Sequence, residues 1–177
     1  MISTLIKKKN PILDMGAAHF PYPRATHAMN NGKNYPLTKE EVREYKNETN
    51  RNLERKMDTL DYRHNLNYNT MKLPWKNNTF KMIYSSGSLG TYGKLFAYKE
   101  AYRVLQHGGK LKFNVGNIPD KSNINGIFSK EESKQRIKKI MQMLYDIGFR
   151  KIYVADQGFY IVNNKKYYTG WIISTKP

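Results

Sequence analysis

The sequence predicts an α/β fold: an open, mostly parallel sheet that closes with an antiparallel hairpin. Short apolar segments typical of strands alternate along the chain with longer segments whose apolar residues recur at helical spacing. Near the C-terminus, an Asn-Asn pair at residues 163–164 separates two strand-like segments, as in a hairpin turn. Because parallel strands need long crossover connections, this alternation favours a parallel sheet with helical crossovers.

The first half of the chain contains three predicted strands and one polar helix. The strands cover Ile12–Met15, residues 25–29 and, with the weakest signal, residues 62–68. A Thr-x-x-Glu capping box opens a helix over residues 38–57. Few of its positions are apolar, so we expect this helix to cover an edge or a surface.

The second half alternates with clearer signals. Glycines at 108–109 and Gly148 mark the ends of two helices, and a Ser-x-x-Glu capping box opens the second of them. The predicted elements, in order, are a strand at Phe80–Ser85, a helix at 95–105, a strand at 110–115, a helix at 129–147 and strands at 151–156, 159–162 and 167–175.

The size and hydropathy of the chain suit one domain, residues 1–177. With 39% hydrophobic residues among 177, a single core is expected. No apolar run approaches the length of a membrane span, and the N-terminal apolar stretch before the lysines is too short for a signal peptide. We therefore expect a soluble, cytoplasmic protein without membrane contact.

Several kinds of chemistry are excluded by composition. The chain has no cysteine, which rules out disulfides, thiolate catalysis and Cys-ligated zinc. The four histidines, at positions 19, 27, 64 and 107, lack the spacing of a helical zinc motif. We therefore expect no metal site.

The net charge of +17 favours a polyanionic partner and makes nucleic acid a candidate. The excess is spread along the chain, is mostly lysine and comes with many Asn, Tyr and Ile residues. A compositional bias of the genome would produce the same pattern, so the charge by itself leaves both explanations open.

Three polar segments are expected along one rim of the sheet. In open α/β sheets, ligands bind outside the carboxyl ends of the strands, where the strand order reverses. This rule places residues 14–16, 85–87 and 114–117 together. In the first segment, Asp-x-Gly, the glycine lets the backbone approach a ligand, while the carboxylate can order loop amides or contact the ligand. The functional site is therefore expected at this rim.

Residues 73–115 carry a specific succession of motifs: Leu73-Pro74-Trp75, a short polar loop, the apolar strand, and a helix ending in Glu-Ala-Tyr-Arg-Val-Leu-Gln-His-Gly-Gly at 100–109. This succession resembles the central segment of class I S-adenosylmethionine-dependent methyltransferases of type 11. The resemblance implies a Rossmann-like class I methyltransferase fold with helices on both faces. It also implies S-adenosyl-L-methionine as cofactor and methyl transfer to an unidentified acceptor. The Pro-containing run after the first strand resembles a branch with a short crossover and no N-terminal helix.

The resemblance also implies the cofactor-binding residues. Asn30 takes the place of the acid that holds the ribose, and Asn69, with Thr70 beside it, takes the place of the acid that holds the adenine amine. Amide oxygens still accept hydrogen bonds there, but without charge assistance. The full implied set is Asp14, Met15, Gly16, Ala17, Ala18, Asn30, Asn69, Thr70, Ser85 and Ser86.

No catalytic residue can be carried over from the family. The family's Glu-His after the fourth strand is Gly90-Thr91 here. Methyl transfer from a sulfonium depends on alignment and does not require an acid, so this absence is compatible with activity. We expect His19, Tyr92 and Phe128 to line the substrate side, whereas His107, Tyr98 and Tyr102 are expected to be structural. The signature of methyltransferases acting on exocyclic base amines, Asn/Asp-Pro-Pro-Tyr/Phe, is absent.

Two alternatives compete with a methyltransferase. One is a catalytically inactive descendant that serves as a basic module binding nucleic acid or protein. It would account for Ala18 in place of the family's second glycine, for the amides Asn30 and Asn69, and for Gly90-Thr91. The other is a nicotinamide oxidoreductase. That class requires a glycine-rich loop opening directly into a helix, which the prolines at 21 and 23 prevent.

Overall fold

The structure is a computed structural model that describes residues 10–16, 22, 24–29, 61–63, 72–86, 88–115, 130–162 and 165–177. Within these residues lie seven strands and three helices. In chain order they are β1 (Ile12–Met15), β2 (His27–Met29), β3 (Asp61–Arg63), β4 (Phe80–Ser85), α1 (Ser88–Tyr92), α2 (Leu95–Val104), β5 (Leu105–Asn114), α3 (Lys130–Ile147), β6 (Arg150–Val162) and β7 (Lys165–Thr175).

The strands form one mixed sheet in the order β3-β2-β1-β4-β5-β7-β6. Strands β1 to β5 pair in parallel, and β7 runs antiparallel to both β5 and β6. The chain therefore leaves β1 in one direction and returns to its other side at β4, so the strand order reverses between these two strands. The predicted α/β fold class, with its C-terminal antiparallel hairpin, is confirmed.

Several predicted boundaries are wrong. The segments 151–156 and 159–162 are one strand, β6, whose register shifts where Lys151 and Asp156 adopt positive φ angles of 49° and 50°. The glycines at 108–109 belong to β5, which begins directly after α2, and the short helix α1 was not predicted. The predicted helix at 38–57, residues 64–68 and the turn at 163–164 lie outside the described residues.

One face of the sheet carries the core. Side chains that alternate along β1, β4, β5 and β7 point to this face and are fully buried, and α2 and α3 pack over them. The Tyr98 ring on α2 lies 5.5 Å from the Phe113 ring on β5, which confirms the expectation that Tyr98 is structural. The buried strand residues on this face include Leu13, Ile83, Leu111, Phe113 and Ile172.

An ion pair holds the Leu73-Pro74-Trp75 turn against α2. Glu100 accepts from the backbone N–H of Leu73 at 2.7 Å, and Arg103 donates to both carboxylate oxygens of Glu100 at 2.7 and 2.8 Å. The guanidinium also donates to the carbonyls of Leu73 and Trp75, at 2.9 and 2.8 Å. The paired Leu-Pro-Trp and Glu-x-x-Arg motifs therefore form one structural clamp, to which we refer as the α2 clamp.

Lys176 joins the end of the chain to the C-terminus of α2. Its Nζ donates to the carbonyls of Tyr102 and Leu105, at 3.0 and 2.9 Å, and to Asn78 Oδ1 at 2.8 Å. The residue is 6% exposed, and burial lowers its pKa. A cation beside the last carbonyls of a helix is favoured by the helix dipole. This contact fixes β7 beside β5.

Candidate active site

The loop after β1 begins with a glycine in the left-handed region. Gly16 has a φ of 83°, which residues with a Cβ adopt only with strain, and its N–H donates to the carbonyl of Met29 at 2.7 Å. The turn thus ties the carboxyl ends of β1 and β2 together. Ala17, Ala18 and His19 follow it and lie outside the described residues.

Asp14 is the buried carboxylate of this rim. It is 2% exposed, and its Oδ2 accepts from the backbone N–H of Tyr22 at 2.6 Å. Its Oδ1 is buried and accepts no hydrogen bond from the described residues. Burial raises the pKa of Asp14 to about 7, against the lowering effect of the Tyr22 N–H. The carboxylate is therefore held in place while one oxygen remains without a donor.

A chain of hydroxyls connects the end of β4 to the end of β1. The buried N–H of Leu89 donates to Ser85 Oγ at 3.0 Å, and Ser85 Oγ lies 3.1 Å from Ser88 Oγ. Ser88 Oγ in turn donates to the carbonyl of Met15 at 3.1 Å. Two of the predicted cofactor residues, Met15 and Ser85, are thus joined through the first turn of α1.

Ser86 lies beyond the end of β4 and is exposed. Its side chain hydrogen-bonds the hydroxyl of Tyr84, whose pKa is raised chiefly by burial. Of the predicted cofactor residues, the structure therefore brings Asp14, Met15, Gly16, Ser85 and Ser86 to one rim. Asn30, Asn69, Thr70 and Phe128 lie outside the described residues, and their roles stay predictions, as does that of Tyr92 at the end of α1.

The position of Gly90 has a packing explanation. A Cβ at this residue would overlap the backbone carbonyl of Asn114 at the end of β5, so α1 can approach the strand only with glycine there. Arg136 from α3 donates to the Gly90 carbonyl at 2.7 Å and closes the contact. The glycine in place of the family's acid is therefore part of how this chain packs its rim.

His107 lies at the amino end of β5, away from the rim. Its Nδ1 donates to the carbonyl of Pro177 at 2.7 Å, and the side chain is exposed. This placement agrees with the structural role predicted for it. Among the described residues, no three His, Asp or Glu side chains form a group suited to a metal ion. None of the helices in the described ranges combines the length and apolar character needed to cross a membrane.

Sequence reasoning missed three stacked aromatic residues, of which Tyr22 and Tyr84 neighbour Asp14. The rings of Tyr22 and Tyr84 stack with centroids 4.2 Å apart, and Tyr84 stacks on Trp171 at 5.2 Å. These residues come from distant parts of the chain, so no local motif marks them. For Tyr84 and Trp171, the sequence signal is alternation with buried apolar residues on β4 and β7.

Comparison with known proteins identifies the fold. No protein-family model and no curated protein sequence matches the chain. Among solved structures, phosphoethanolamine N-methyltransferase 2 of Haemonchus contortus, bound to phosphomonomethylethanolamine and S-adenosylhomocysteine, superposes with a TM-score of 0.62 at 14% identity. The match covers 95% of this chain and 49% of that one, so this chain spans about half its length.

Two further solved structures are similar over most of both chains. A SAM-dependent methyltransferase from Aquifex aeolicus has a TM-score of 0.58 at 16% identity, covering 95% of this chain and 82% of that one. Geranyl diphosphate C-methyltransferase from Streptomyces coelicolor, with S-adenosyl-L-homocysteine bound, has a TM-score of 0.54 at 14% identity, covering 96% and 73%. The chain therefore has the Rossmann-like fold of class I methyltransferases.

Proposed function

We propose that this chain, which has the fold of class I S-adenosylmethionine-dependent methyltransferases, binds S-adenosyl-L-methionine at the rim and transfers its methyl group to an acceptor. The observation that carries the proposal is the state of Asp14. A buried carboxylate oxygen without a hydrogen-bond donor costs on the order of 1–3 kcal/mol, which a ligand donor would recover. S-adenosyl-L-methionine has an ammonium group at its methionine end that supplies such a donor.

The surrounding backbone fits the same ligand. Gly16 carries no side chain at the turn, and its positive φ leaves the loop backbone open to close approach by a ligand. The hydroxyl chain through Ser85 and Ser88 holds the Met15 carbonyl in place. This rim lies where the strand order reverses, between β1 and β4, which is where ligands of open α/β sheets bind.

The chain's own contribution to the reaction would be binding and alignment. When bound, the cofactor would supply a methyl group on a sulfonium, which the acceptor's lone pair can attack in line at carbon while the carbon–sulfur bond breaks to leave a neutral thioether. Asp14, held through its Oδ2 by the Tyr22 N–H, would orient the methionine end through its Oδ1. Orientation of two reactants accounts for a large part of the rate in such displacements, and no proton transfer to the leaving thioether is needed.

The acceptor is not specified by the fold. Two of the similar structures have names that state their substrates: one methylates a phosphoethanolamine nitrogen and the other a geranyl diphosphate carbon, on the same architecture. Function is determined by the site rather than by the fold.

The test is thermal unfolding with S-adenosyl-L-methionine, with its demethylated product S-adenosylhomocysteine, and with NADH as a negative control. At about a hundred times its dissociation constant, a ligand stabilises by about 2.7 kcal/mol, or about 5–10 °C in Tm for this size. We expect a rise with the two sulfur nucleosides alone. No rise at millimolar concentration would contradict the proposal.

Variants locate the site. We expect Asp14→Asn and Gly16→Val to lose the cofactor-induced rise. Asp146→Asn, which neutralises an exposed carboxylate on α3, is the matched control and should keep it. Unchanged cofactor affinity in both rim variants would show that the site is elsewhere. Activity is then measured by transfer of labelled methyl to candidate acceptors, a readout independent of binding.

A further inference from the structure

The face of the sheet opposite α2 and α3 carries a row of half-buried aromatic and cationic side chains. Tyr84 on β4 is paired in register with Asp14 on β1 and with Lys112 on β5. Trp171 on β7 is paired with Asn114, which lies two residues after Lys112 on β5 and therefore nearer the rim. Residues paired in this way point to the same face. Their neighbours in sequence, such as Ile83 and Ile172, point to the other face and are fully buried.

These side chains form a continuous stack. The Tyr22 and Tyr84 rings are inclined by 22° and the Tyr84 and Trp171 rings by 30°, with centroid separations of 4.2 and 5.2 Å. Lys112 Nζ lies 4.9 Å from the centre of the Trp171 ring. We refer to Tyr22, Tyr84, Lys112 and Trp171 as the aromatic strip. All four residues are half-buried, so part of each residue is accessible to solvent.

The aromatic strip differs from the aromatic packing of the core. Around Phe80, which is fully buried, the rings of Trp75 and His27 meet it edge-to-face at interplanar angles of 84° and 80°. Edge-to-face and offset-stacked pairs are both favoured geometries of aromatic rings, so the two sites differ in ring arrangement. The strip has nearly parallel rings with the ammonium of Lys112 beside them. This arrangement places aromatic rings and positive charge side by side.

The charge around the strip has one dominant sign. Lys110, two residues before Lys112 on β5, points to the same face and is exposed. Tyr153 on β6 pairs with Ile173 on β7, points to this face and is 50% exposed. Among the residues that the structure describes, the carboxylates nearest in register are Asp14, which is buried, and Asp156 at the outer bulge of β6. The half-buried Lys112 of the strip and the exposed Lys110 beside it therefore place two lysines next to the aromatic rings, in a chain of net charge +17.

We propose that the aromatic strip is a binding surface for single-stranded nucleic acid. Bases stack on aromatic side chains, and a cation beside an aromatic ring adds cation–π attraction. Phosphates are attracted by lysines on the same surface. A double helix keeps its bases inside and offers no such stacking, so the surface selects single strands. The proposal concerns binding and does not depend on methyl transfer. A nucleic-acid strand bound on this surface would pass near Asp14, which is paired in register with Tyr84.

Fluorescence anisotropy of the full chain tests the proposal. The probes are labelled single-stranded RNA and DNA of about ten nucleotides, with a duplex of the same sequence for comparison. We expect Trp171→Leu to weaken single-strand binding by about tenfold or more, since stacking on one ring contributes about 1–3 kcal/mol. The matched control is Phe96→Leu on α2, whose ring is 60% exposed on the other side of the sheet. It should change affinity less than about twofold.

A charge-matched pair completes the test. Lys112→Gln should make the slope of log affinity against log salt shallower by about the amount due to one phosphate contact. Lys139→Gln on α3 should leave this slope unchanged. Equal losses in the strip and control variants would overturn the proposal, as would equal affinity for duplex and single strand, or no binding at low salt.

Intrinsic fluorescence keeps the proposal testable if Trp171→Leu fails to fold. The chain has two tryptophans, so Trp75→Phe leaves Trp171 as the only tryptophan reporter. Base stacking on Trp171 should quench its emission when oligonucleotide is added, and unquenched emission at saturation would overturn the stacking. The cofactor-induced rise in Tm is measured on the same samples, so failure of nucleic-acid binding and failure of cofactor binding are distinguished.

Discussion

Glu100 and Asp14 are two carboxylates near opposite ends of the parallel strands, and their surroundings differ. In the α2 clamp, near the amino end of β4, burial raises the pKa of Glu100, but hydrogen bonds from Arg103 and from the Leu73 N–H lower it further than burial raises it. At the carboxyl end of β1, burial raises the pKa of Asp14 to about 7, and among the described residues its one hydrogen-bond donor is the Tyr22 N–H.

The comparison separates a structural charge from a charge available to a ligand. The Glu100 carboxylate is satisfied by residues 73 and 103, so its ionisation stabilises the fold. Asp14 is almost completely buried, yet Oδ1 has no donor among the described residues. An ionised group in that state is costly unless something else pairs with it. The clamp therefore maintains the fold, whereas the rim is arranged for an external donor.

The largest expected effect is the loss of the α2 clamp in Arg103→Ala. This variant removes the cation that pairs with Glu100 and the guanidinium that donates to the carbonyls of Leu73 and Trp75. The pair is partly exposed, so we expect a loss of about 2–3 kcal/mol rather than the larger value of a fully buried pair. Chemical denaturation measures it directly.

The matched control for the clamp is Lys134→Ala. Lys134 and Glu131 have the same i,i+3 spacing, but both side chains are more than half exposed. We expect a change below about 0.5 kcal/mol. If Arg103→Ala and Lys134→Ala had similar effects, the clamp would have no structural role and the comparison would fail.

The second effect has the opposite sign and depends on pH. The folded state holds a proton on Asp14 up to about pH 7, whereas the unfolded state releases it near the ordinary value of 3.8. Folded protein therefore binds more protons in between, and its stability falls as the pH rises from about 4 to about 7. Asp14→Asn cannot ionise, so it should stabilise the cofactor-free protein by roughly a few kcal/mol at pH 8 and little at pH 4.

Urea denaturation at the two pH values measures this difference. An equal effect of Asp14→Asn at pH 8 and at pH 4 would mean that the ionised Asp14 carboxylate is not destabilised in the folded protein. The contrast between Asp14 and the paired carboxylate of Glu100 would then disappear. With S-adenosyl-L-methionine present at pH 8, we expect the parent chain to be more stable than Asp14→Asn, because the ionised carboxylate is the form that pairs with an ammonium.

The smallest expected effect tests the packing of the rim. Gly90→Ala places a methyl group against the Asn114 carbonyl, so α1 must shift, at a cost of about 1–2 kcal/mol. Gly158→Ala on β6, where an added Cβ meets nothing within 4 Å, is the matched control and should change stability by less than about 0.5 kcal/mol. Similar unfolding midpoints for the two variants would show that the rim tolerates movement of α1.

A good part of the architecture could be predicted from sequence. Period-two and helical patterns located β4, α2 and α3, and the Asn-Asn turn indicated the terminal hairpin. The errors occurred where backbone irregularity decided the outcome: positive φ angles at Lys151 and Asp156 bend one long strand that its sequence divides into two. Such bulges depend on pairing with β7, which no local pattern contains. That residues 1–177 form one domain stays a prediction.

The sequence by itself determined the chemistry available to this protein: no thiol, a basic surface, an Asp-x-Gly at a strand end, and the motifs of the α2 clamp. Only the tertiary structure decided how that chemistry is arranged. Burial and pairing depend on what other elements bring near a residue, so two carboxylates that look alike in sequence differ in pKa. For the same reason Tyr22, Tyr84 and Trp171, distant along the chain, become one surface only when β1, β4, β5 and β7 align in register.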